Sequence, residues 1–168
     1  PAISMVDFKP TILSLMGIDN VGNDEGRDVS RLFLDEATAE GWRDTAFIRI
    51  GTNSESGWMG AFSRSYKLVV SPRAPASFFD LEVDPDELKN FINSPAYRGS
   101  IRKLARELAE YARLRKDPLW ESSAIRADLD WAIGGKGDYT PVKRDGAPTG
   151  KATTPKKGNR IQNTPPSS

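Results

Sequence analysis

Residues 45–81 read TAFIRIGTNSESGWMGAFSRSYKLVVSPRAPASFFDL, and they contain four short runs rich in β-branched and aromatic residues. The runs cover residues 45–50, 58–63, 66–70 and 77–81. Glycine, asparagine, serine and proline fill most of the segments between them, as is typical of turns between strands. Because these connections are short, we expect neighbouring strands to run antiparallel. The sequence therefore predicts a small four-stranded antiparallel sheet.

A long amphipathic helix is predicted after the strands, from about Ala96 to Arg115. Its apolar residues recur at spacings of three and four, which places them on one face of a helix. The apolar stripe consists of Ile101, Leu104, Ala105, Leu108, Tyr111, Ala112 and Leu114. Since an antiparallel sheet can bury one face against such a stripe, we predict an α+β fold with the sheet packed on this helix.

A shorter helix is predicted near the N-terminus. Either Ser4 or Asp7 can act as its N-cap, and a cap at Asp7 would place Pro10 in the first turn, where a missing N–H is tolerated. Gly17 suits the position after the helix, where a positive φ is common. The sequence also predicts one buried apolar face, formed by Phe8, Ile12, Leu13, Leu15 and Met16. Residues 29–34 could form one or two further helical turns.

The chain beyond the long helix divides into two parts. Residues 117–139 carry Trp120 and Trp131 among aliphatic side chains, enough apolar surface to dock as a further helix or an extended arm. Residues 140–168 hold six basic residues, one acidic residue and few apolar side chains, a composition typical of disorder. We therefore predict a sheet-and-helix unit over residues 1–116. A Trp-containing segment that docks on it follows over residues 117–139, and a disordered basic tail over residues 140–168.

The residue types that the sequence lacks exclude several kinds of chemistry. The 168 residues include no Cys and no His, which excludes disulfides, thiolate metal sites and Ser-His-Asp catalysis. The net charge is only +1, so no overall field attracts a polyanion. No apolar run approaches the length of a membrane span, and the N-terminal residues do not have the pattern of a signal peptide. The first residue is not Met, so we expect a piece of a longer protein.

Three blocks of the sequence carry a family resemblance. The first comprises MVDFKPTIL at residues 5–13 with GI at 17–18, followed by EGRDV at 25–29. The second is RSYKLV at residues 64–69, and the third is FDLEVDPDELKN at residues 79–90. In order and spacing they resemble the motifs vDl-PT-l-laGi with dGrsl, R-x-x-yKLi and LYDLetDPxExxNL of the type I sulfatases. These are the formylglycine-dependent members of the alkaline phosphatase superfamily, and the resemblance is to their C-terminal region.

The resemblance implies that the catalytic machinery lies outside this chain. In these sulfatases a larger N-terminal domain carries a C-x-P-x-R or S-x-P-x-R motif, whose Cys or Ser becomes formylglycine, together with a calcium ion. The segment Ser71–Pro75 reads SPRAP and lacks the residue between Ser and Pro, so we interpret it as a turn between strands. We therefore expect no catalytic residue and no metal site here, with calcium and formylglycine in the missing domain. The chain alone should not hydrolyse sulfate esters.

Two residues are candidates for substrate contact. The resemblance implies that loops of this region border the mouth of the active site. Arg49 and Trp58 could contact an anionic sugar or an aryl group there. The alternative is that Arg49 is an exposed strand residue and Trp58 a core residue.

Two acidic features could be mistaken for metal ligands. Asp7 precedes a helix, and we predict that it caps the helix N-terminus. A second group lacks the ligand spacing of a calcium-binding loop and is stiffened by Pro85, so we predict a solvated turn. This group consists of Asp80, Glu82, Asp84, Asp86 and Glu87.

The predicted function is that of a C-terminal sulfatase subdomain. It would complete the fold and the substrate mouth of a catalytic domain, in the same or a separate chain, and meet sulfated substrate only in that context. One alternative is a stand-alone interaction module that recruits a protein partner through the tail or through Trp120 and Trp131, and another is a nonfunctional remnant. The tail lacks aromatic residues, so we predict no specific nucleic-acid partner. Family members are often periplasmic or secreted, and the sequence leaves the compartment open.

Overall fold

The computed structural model describes residues 1–34, 42–51 and 53–144. Most of the predicted disordered tail, from residue 145 onward, lies outside the described residues. In the described part the four strands follow one another along the chain, with helices before and after them. This segregation of strands and helices confirms the predicted α+β fold class.

The described strands form one antiparallel sheet in the order β1-β2-β3-β4. Ala61 of β2 lies opposite Leu68 of β3, and Leu68 lies opposite Phe78 of β4, so the register places apolar residues side by side. The strand bounds agree with the predicted runs to within one residue. They are β1 (Ala46–Ile50), β2 (Trp58–Phe62), β3 (Tyr66–Val70) and β4 (Ser77–Asp80).

The two faces of the sheet differ in burial. The inner face packs on the long helix and holds the fully buried side chains Met59, Ala61, Leu68, Val70 and Phe78. Because side chains alternate along a strand, the residues next to these in each strand point the opposite way. The outer face, so defined, is half-buried or exposed and carries Ile48, Ile50, Trp58, Phe62, Val69 and Phe79.

The long helix α3 (Arg98–Leu114) follows a 3₁₀ turn at Pro95–Tyr97. Its buried residues are Ile101, Leu104, Ala105, Leu108, Ala109 and Ala112, close to the predicted stripe. Leu114 was expected in that stripe, but 74% of it is exposed. It lies two positions beyond Ala112, and the rotation of the helix turns it away from the sheet.

The segment after α3 forms a helix rather than an extended arm. A 3₁₀ turn at Pro118–Glu121 leads into α4 (Ser123–Gly134), which packs against α3. Apolar residues of this segment join the same core as the sheet, namely Leu119, Ile125, Leu129 and Ala132. Trp120 and Trp131 are half-buried against that core, and the Trp131 ring lies 5.0 Å from the ring of Tyr139.

A buried polar network joins α4 to the residues that follow it. The Tyr139 hydroxyl donates to Asp128 Oδ1 over 2.7 Å and accepts from the Ala76 backbone N–H over 3.0 Å. The Arg144 guanidinium forms an ion pair with the other Asp128 oxygen. Residues 140–144, which the prediction assigned to the tail, therefore include a buried cation that is bound to α4.

The N-terminal segment contains two short helices, α1 (Phe8–Leu15) and α2 (Ser30–Leu34). Helix α1 ends as predicted, because Gly17 has a φ of +69° and the Ile18 N–H bonds to the Leu13 carbonyl over 2.9 Å.

The predicted burial of α1 is wrong. Pro10 and Thr11 are buried, whereas the apolar residues Phe8, Ile12, Leu15 and Met16 are exposed, and Leu13 is half-buried. The reason is that α1 turns its polar side toward residues 25–30. Its apolar side is left uncovered by the described residues.

Candidate functional site

Asp7 links the start of the N-terminal helix to a turn twenty residues later. Its Oδ1 accepts from the Arg27 backbone N–H over 2.7 Å. Its Oδ2 accepts from the Ser4 backbone N–H over 2.8 Å and from Arg27 Nη2 over 3.3 Å. Asp7 occupies the predicted N-cap position of α1, but its side chain makes no capping bond to that helix. Its carboxylate instead bonds back to Ser4, the other predicted cap, in a capping box that starts at Ser4, and across to Arg27.

Gly26 and Thr11 complete this connection. A Cβ on Gly26 would lie 1.9 Å from the Val6 carbonyl oxygen, so the close approach of the two segments requires glycine. Thr11 Oγ1 donates to the Asp7 carbonyl over 2.5 Å and accepts from the Val29 N–H over 3.1 Å. Polar contacts therefore join the two parts of the first sequence block, residues 5–13 and 25–29. We call the contacting residues Asp7, Thr11, Gly26 and Arg27 the Asp7 latch.

The Asp7 carboxylate is held in its charged form. Burial acts to raise its pKa, but hydrogen bonds from the backbone N–H groups of Arg27 and Ser4 and from the Arg27 guanidinium outweigh burial. The net effect is a pKa below the ordinary value for aspartate. The latch is therefore intact at neutral pH.

An apolar groove lies beside the latch. It has a volume of about 380 Å³. Phe8 is 64% exposed and Phe33 is 66% exposed, although both are large apolar residues. We define the N-terminal apolar face as the groove residues Ile3, Met5, Phe8, Ile12, Leu15 and Phe33. Contiguous exposed apolar surface is common at protein–protein interfaces and in ligand-binding grooves.

Arg49 lies on edge strand β1, and its side chain forms hydrogen bonds with other residues of this chain. Its Nε donates to Asp117 Oδ2 over 2.8 Å, and its guanidinium also donates to the Gly51 carbonyl. Asp117 is buried and also accepts from the Leu119 N–H, so Arg49 ties β1 to the segment after α3. About one third of the Arg49 side chain stays exposed, as its 33% relative accessibility shows.

Trp58 lies on the other side of the sheet from Arg49. Arg49 is paired with Met59 of the inner face, whereas Trp58 is paired with Ile50 of the outer face. The Trp58 ring is half-buried, with its centroid 6.5 Å from that of Phe62. The two candidates share one end of the β1-β2 hairpin, but the structure does not bring them into one site.

A polar cavity of about 540 Å³ lies at the end of the sheet where β1 meets β2. Three separate loops and the start of α4 form it. Because no spacing rule links these segments, the cavity could not be predicted from the sequence. Cations and anions share its wall, which includes Glu55, Arg73, Glu121, Lys143 and Arg144. The charges nearly balance, so the cavity has no strong preference for either sign.

The acidic group forms a turn at the end of β4, as predicted, but Asp80 is buried there rather than solvated. Asp80 accepts from the Glu82 and Val83 N–H groups over 3.0 and 3.1 Å, and Asp84 accepts from the Lys89 N–H over 2.7 Å. Residues 71–75 likewise connect β3 to β4.

The described residues offer neither a metal-binding cluster nor a membrane-spanning helix. Across residues 1–34, 42–51 and 53–144 no group of three or more His, Cys, Asp or Glu side chains could hold a metal ion. Within the same residues no helix is both long and apolar enough to span a membrane.

A sheet packed on a long helix, preceded by the latch and its helix, is the architecture of a sulfatase C-terminal region. The family model described as N-sulphoglucosamine sulphohydrolase, C-terminal, matches residues 2–114. The chain therefore belongs to this family, which confirms the resemblance seen in the sequence. A comparison with curated protein sequences gives no match.

Solved structures share this fold. BT4656, solved with its substrate D-glucosamine-2-N,6-O-disulfate, is similar with a TM-score of 0.57 at 22% identity over 68% of this chain. The sulfatase-assigned protein yidJ from Bacteroides fragilis gives a TM-score of 0.55 at 20% identity over 69% of this chain, which covers 26% of yidJ. BT1596, a 2-O GAG sulfatase, gives 0.51 at 17% identity over 84% of this chain. The chain spans 25% of BT4656 and 31% of BT1596.

Proposed function

We propose that this chain is the C-terminal part of a sulfuric ester hydrolase, and that it acts only together with a sulfatase catalytic domain. The observation that carries the proposal is the family match over residues 2–114. In the structural comparison, this chain spans only 25% of the length of BT4656. The catalytic domain can lie in the same polypeptide or in a separate one. Calcium and formylglycine belong to that domain in this proposal.

The chemistry of sulfate ester cleavage supports the need for a second domain. The reaction requires an activated nucleophile, cations around the sulfuryl oxygens and an acid for the leaving group. The sequence has neither Cys nor His, and Ser71 Oγ donates its hydrogen bond to the Gly57 carbonyl in a strand connection. We therefore place the active site in the catalytic domain rather than in this chain.

Within the complete enzyme, we assign the substrate-side role to the end of the sheet that carries Arg49 and Trp58. The exposed part of the Arg49 guanidinium is oriented by Asp117 and can meet an anionic group of a sulfated substrate. Trp58 offers an aromatic surface on the opposite face of the sheet. The division into residues 1–116, 117–139 and 140–168 also remains part of this proposal, except that residues 140–144 are attached to α4 through Arg144.

Turnover by the purified 168-residue chain tests the proposal. We expect no release of aryl alcohol from 4-nitrophenyl sulfate and no release of sulfate from N-sulfoglucosamine, with or without calcium. The positive control is the complete sulfatase from the source cells under the same conditions. Calcium-dependent turnover by the pure chain would overturn the proposal.

A further inference from the structure

We propose that residues 1–34 are a docking segment, and that the N-terminal apolar face binds the catalytic domain and completes that domain's hydrophobic core. This inference rests on the proposed function and names the surface through which the two parts meet. The sheet and α3 then form a separate packing unit, attached to the docking segment by polar contacts.

The first argument is the lack of an apolar core in the docking segment. Within residues 1–34, all of which are described, Val29 is the buried aliphatic side chain, and the other buried positions are Asp7, Pro10, Thr11 and Ser30. The buried core cluster of the sheet, α3 and α4 runs from Met59 to Tyr139 and includes no residue of the docking segment. A helix with an apolar stripe is stable when that stripe is covered.

The second argument is that polar contacts orient the segment with its apolar face outward. The Asp7 latch holds the two halves of the segment together. Glu25 pairs with Arg115 at the end of α3 over 3.2 Å, and the Trp42 indole N–H donates to the Ala2 carbonyl over 3.3 Å. These contacts hold the docking segment against the sheet and α3, while Phe8 and Ile12 stay exposed.

The third argument concerns the occupant of the groove. Asp7 is the charged residue in the groove wall, and its carboxylate is fully used by the latch. An apolar wall suits an apolar protein surface rather than a sulfated sugar. The chain covers 25% of BT4656 and 31% of BT1596. The catalytic domain of the proposed complete enzyme is therefore the occupant that we assign to the groove.

Hydrogen exchange in the complete sulfatase from its source cells tests this inference. We compare peptides that cover residues 5–18 with peptides that cover residues 82–92, in the complete enzyme and in the isolated chain. We expect exchange over residues 5–18 to slow by at least tenfold in the complete enzyme. Exchange over residues 82–92 should be alike in both. Equal exchange over residues 5–18 in both samples would overturn the inference.

Charge substitutions add a matched comparison. Phe8→Glu and Ile12→Glu place a carboxylate on the docking face, whereas Val83→Glu and Leu88→Glu place one on the turn after β4. Phe8 and Ile12 are 64% and 37% exposed, Val83 and Leu88 are 70% and 85% exposed, and none of the four belongs to the buried core cluster. We expect the first pair to weaken association with the catalytic domain by about tenfold or more, and the second pair to leave it unchanged.

The outcomes separate the two proposals. If the unaltered chain has no catalytic domain, covalent or bound, the proposed function fails. If a catalytic domain is present but the variants at Phe8 and Ile12 bind it as well as the two controls do, the proposed function stands and the docking inference fails. Circular dichroism of each isolated variant confirms that the sheet unit is folded. If Phe8→Glu abolishes only a dimer of this chain, the occupant is a second copy and the inference is wrong.

Discussion

Asp7 explains why two blocks of sequence, separated by twenty residues, belong together. Each oxygen of its carboxylate accepts at least one hydrogen bond, and Arg27 supplies both a backbone N–H and a guanidinium. Replacing Asp7 with Ala leaves these part-buried donors without their carboxylate partner. Such a loss costs about 1–3 kcal/mol in general.

The lowered pKa of Asp7 predicts how the latch depends on pH. A carboxylate whose folded pKa lies below its unfolded value, about 3.9, contributes fully above that value. Its contribution is lost as the pH falls through the folded pKa. We expect the Arg27 backbone amide signal in NMR to stay constant from pH 7 to about pH 4 and to shift at lower pH. In Asp7→Asn the signal should lack this acid transition, and an unchanged transition would contradict the assignment.

Two glycines give a matched pair of predictions. Gly26→Ala forces a Cβ against the Val6 carbonyl, so we expect residues 4–14 to lose hydrogen-exchange protection. Gly99 lies in the first turn of α3 with no atom within 4 Å of a built Cβ. Gly99→Ala should therefore raise the free energy of unfolding by about 0.4–1 kcal/mol. Equal effects of the two substitutions would contradict the close approach at Gly26.

At the scale of elements, α3 carries the core. Leu108 is fully buried between the sheet and α4, whereas Leu114 of the same helix is mostly exposed. We expect Leu108→Ala to lower the free energy of unfolding by about 2–5 kcal/mol because it leaves a cavity. Leu114→Ala should change it by less than about 0.5 kcal/mol. Urea unfolding of the two variants measures both values, and similar losses would mean that α3 is packed differently.

The sequence predicts elements where periodicity alone determines the structure. The four strands follow from a period of two, and α3 follows from a period near 3.6. The helix end at Gly17 was also predictable, because positive φ favours glycine there. For α1 the spacing identifies which side is apolar but not whether that side is covered, and the described residues leave it exposed.

The side-chain contacts of Arg49 and Asp128 could not be predicted from the sequence, and the reason differs from that for α1. Arg49 binds Asp117, which is 68 residues away, and Asp128 binds Arg144 from beyond the end of α4. Such partners meet through tertiary packing, and no local spacing rule encodes them. The placement of Arg49 and Trp58 on opposite faces likewise depends on the strand register, which the sequence alone left open.

At the scale of the whole molecule, the chain consists of two parts with different sources of stability. The sheet, α3 and α4 share a continuous apolar core. The docking segment is held by polar contacts and exposes most of its apolar side chains. This division is expected if a sulfatase fold continues beyond this chain and covers the N-terminal apolar face.

The most direct test of that account is the mass of the native gene product in its source cells. Peptides from residues 98–114 identify the product, and an intact mass of the purified species shows what it is attached to. The account predicts a species that contains a formylglycine-bearing catalytic domain, in the same chain or in a tightly bound second one. A product of 18.5 kDa that purifies without any such domain would contradict it.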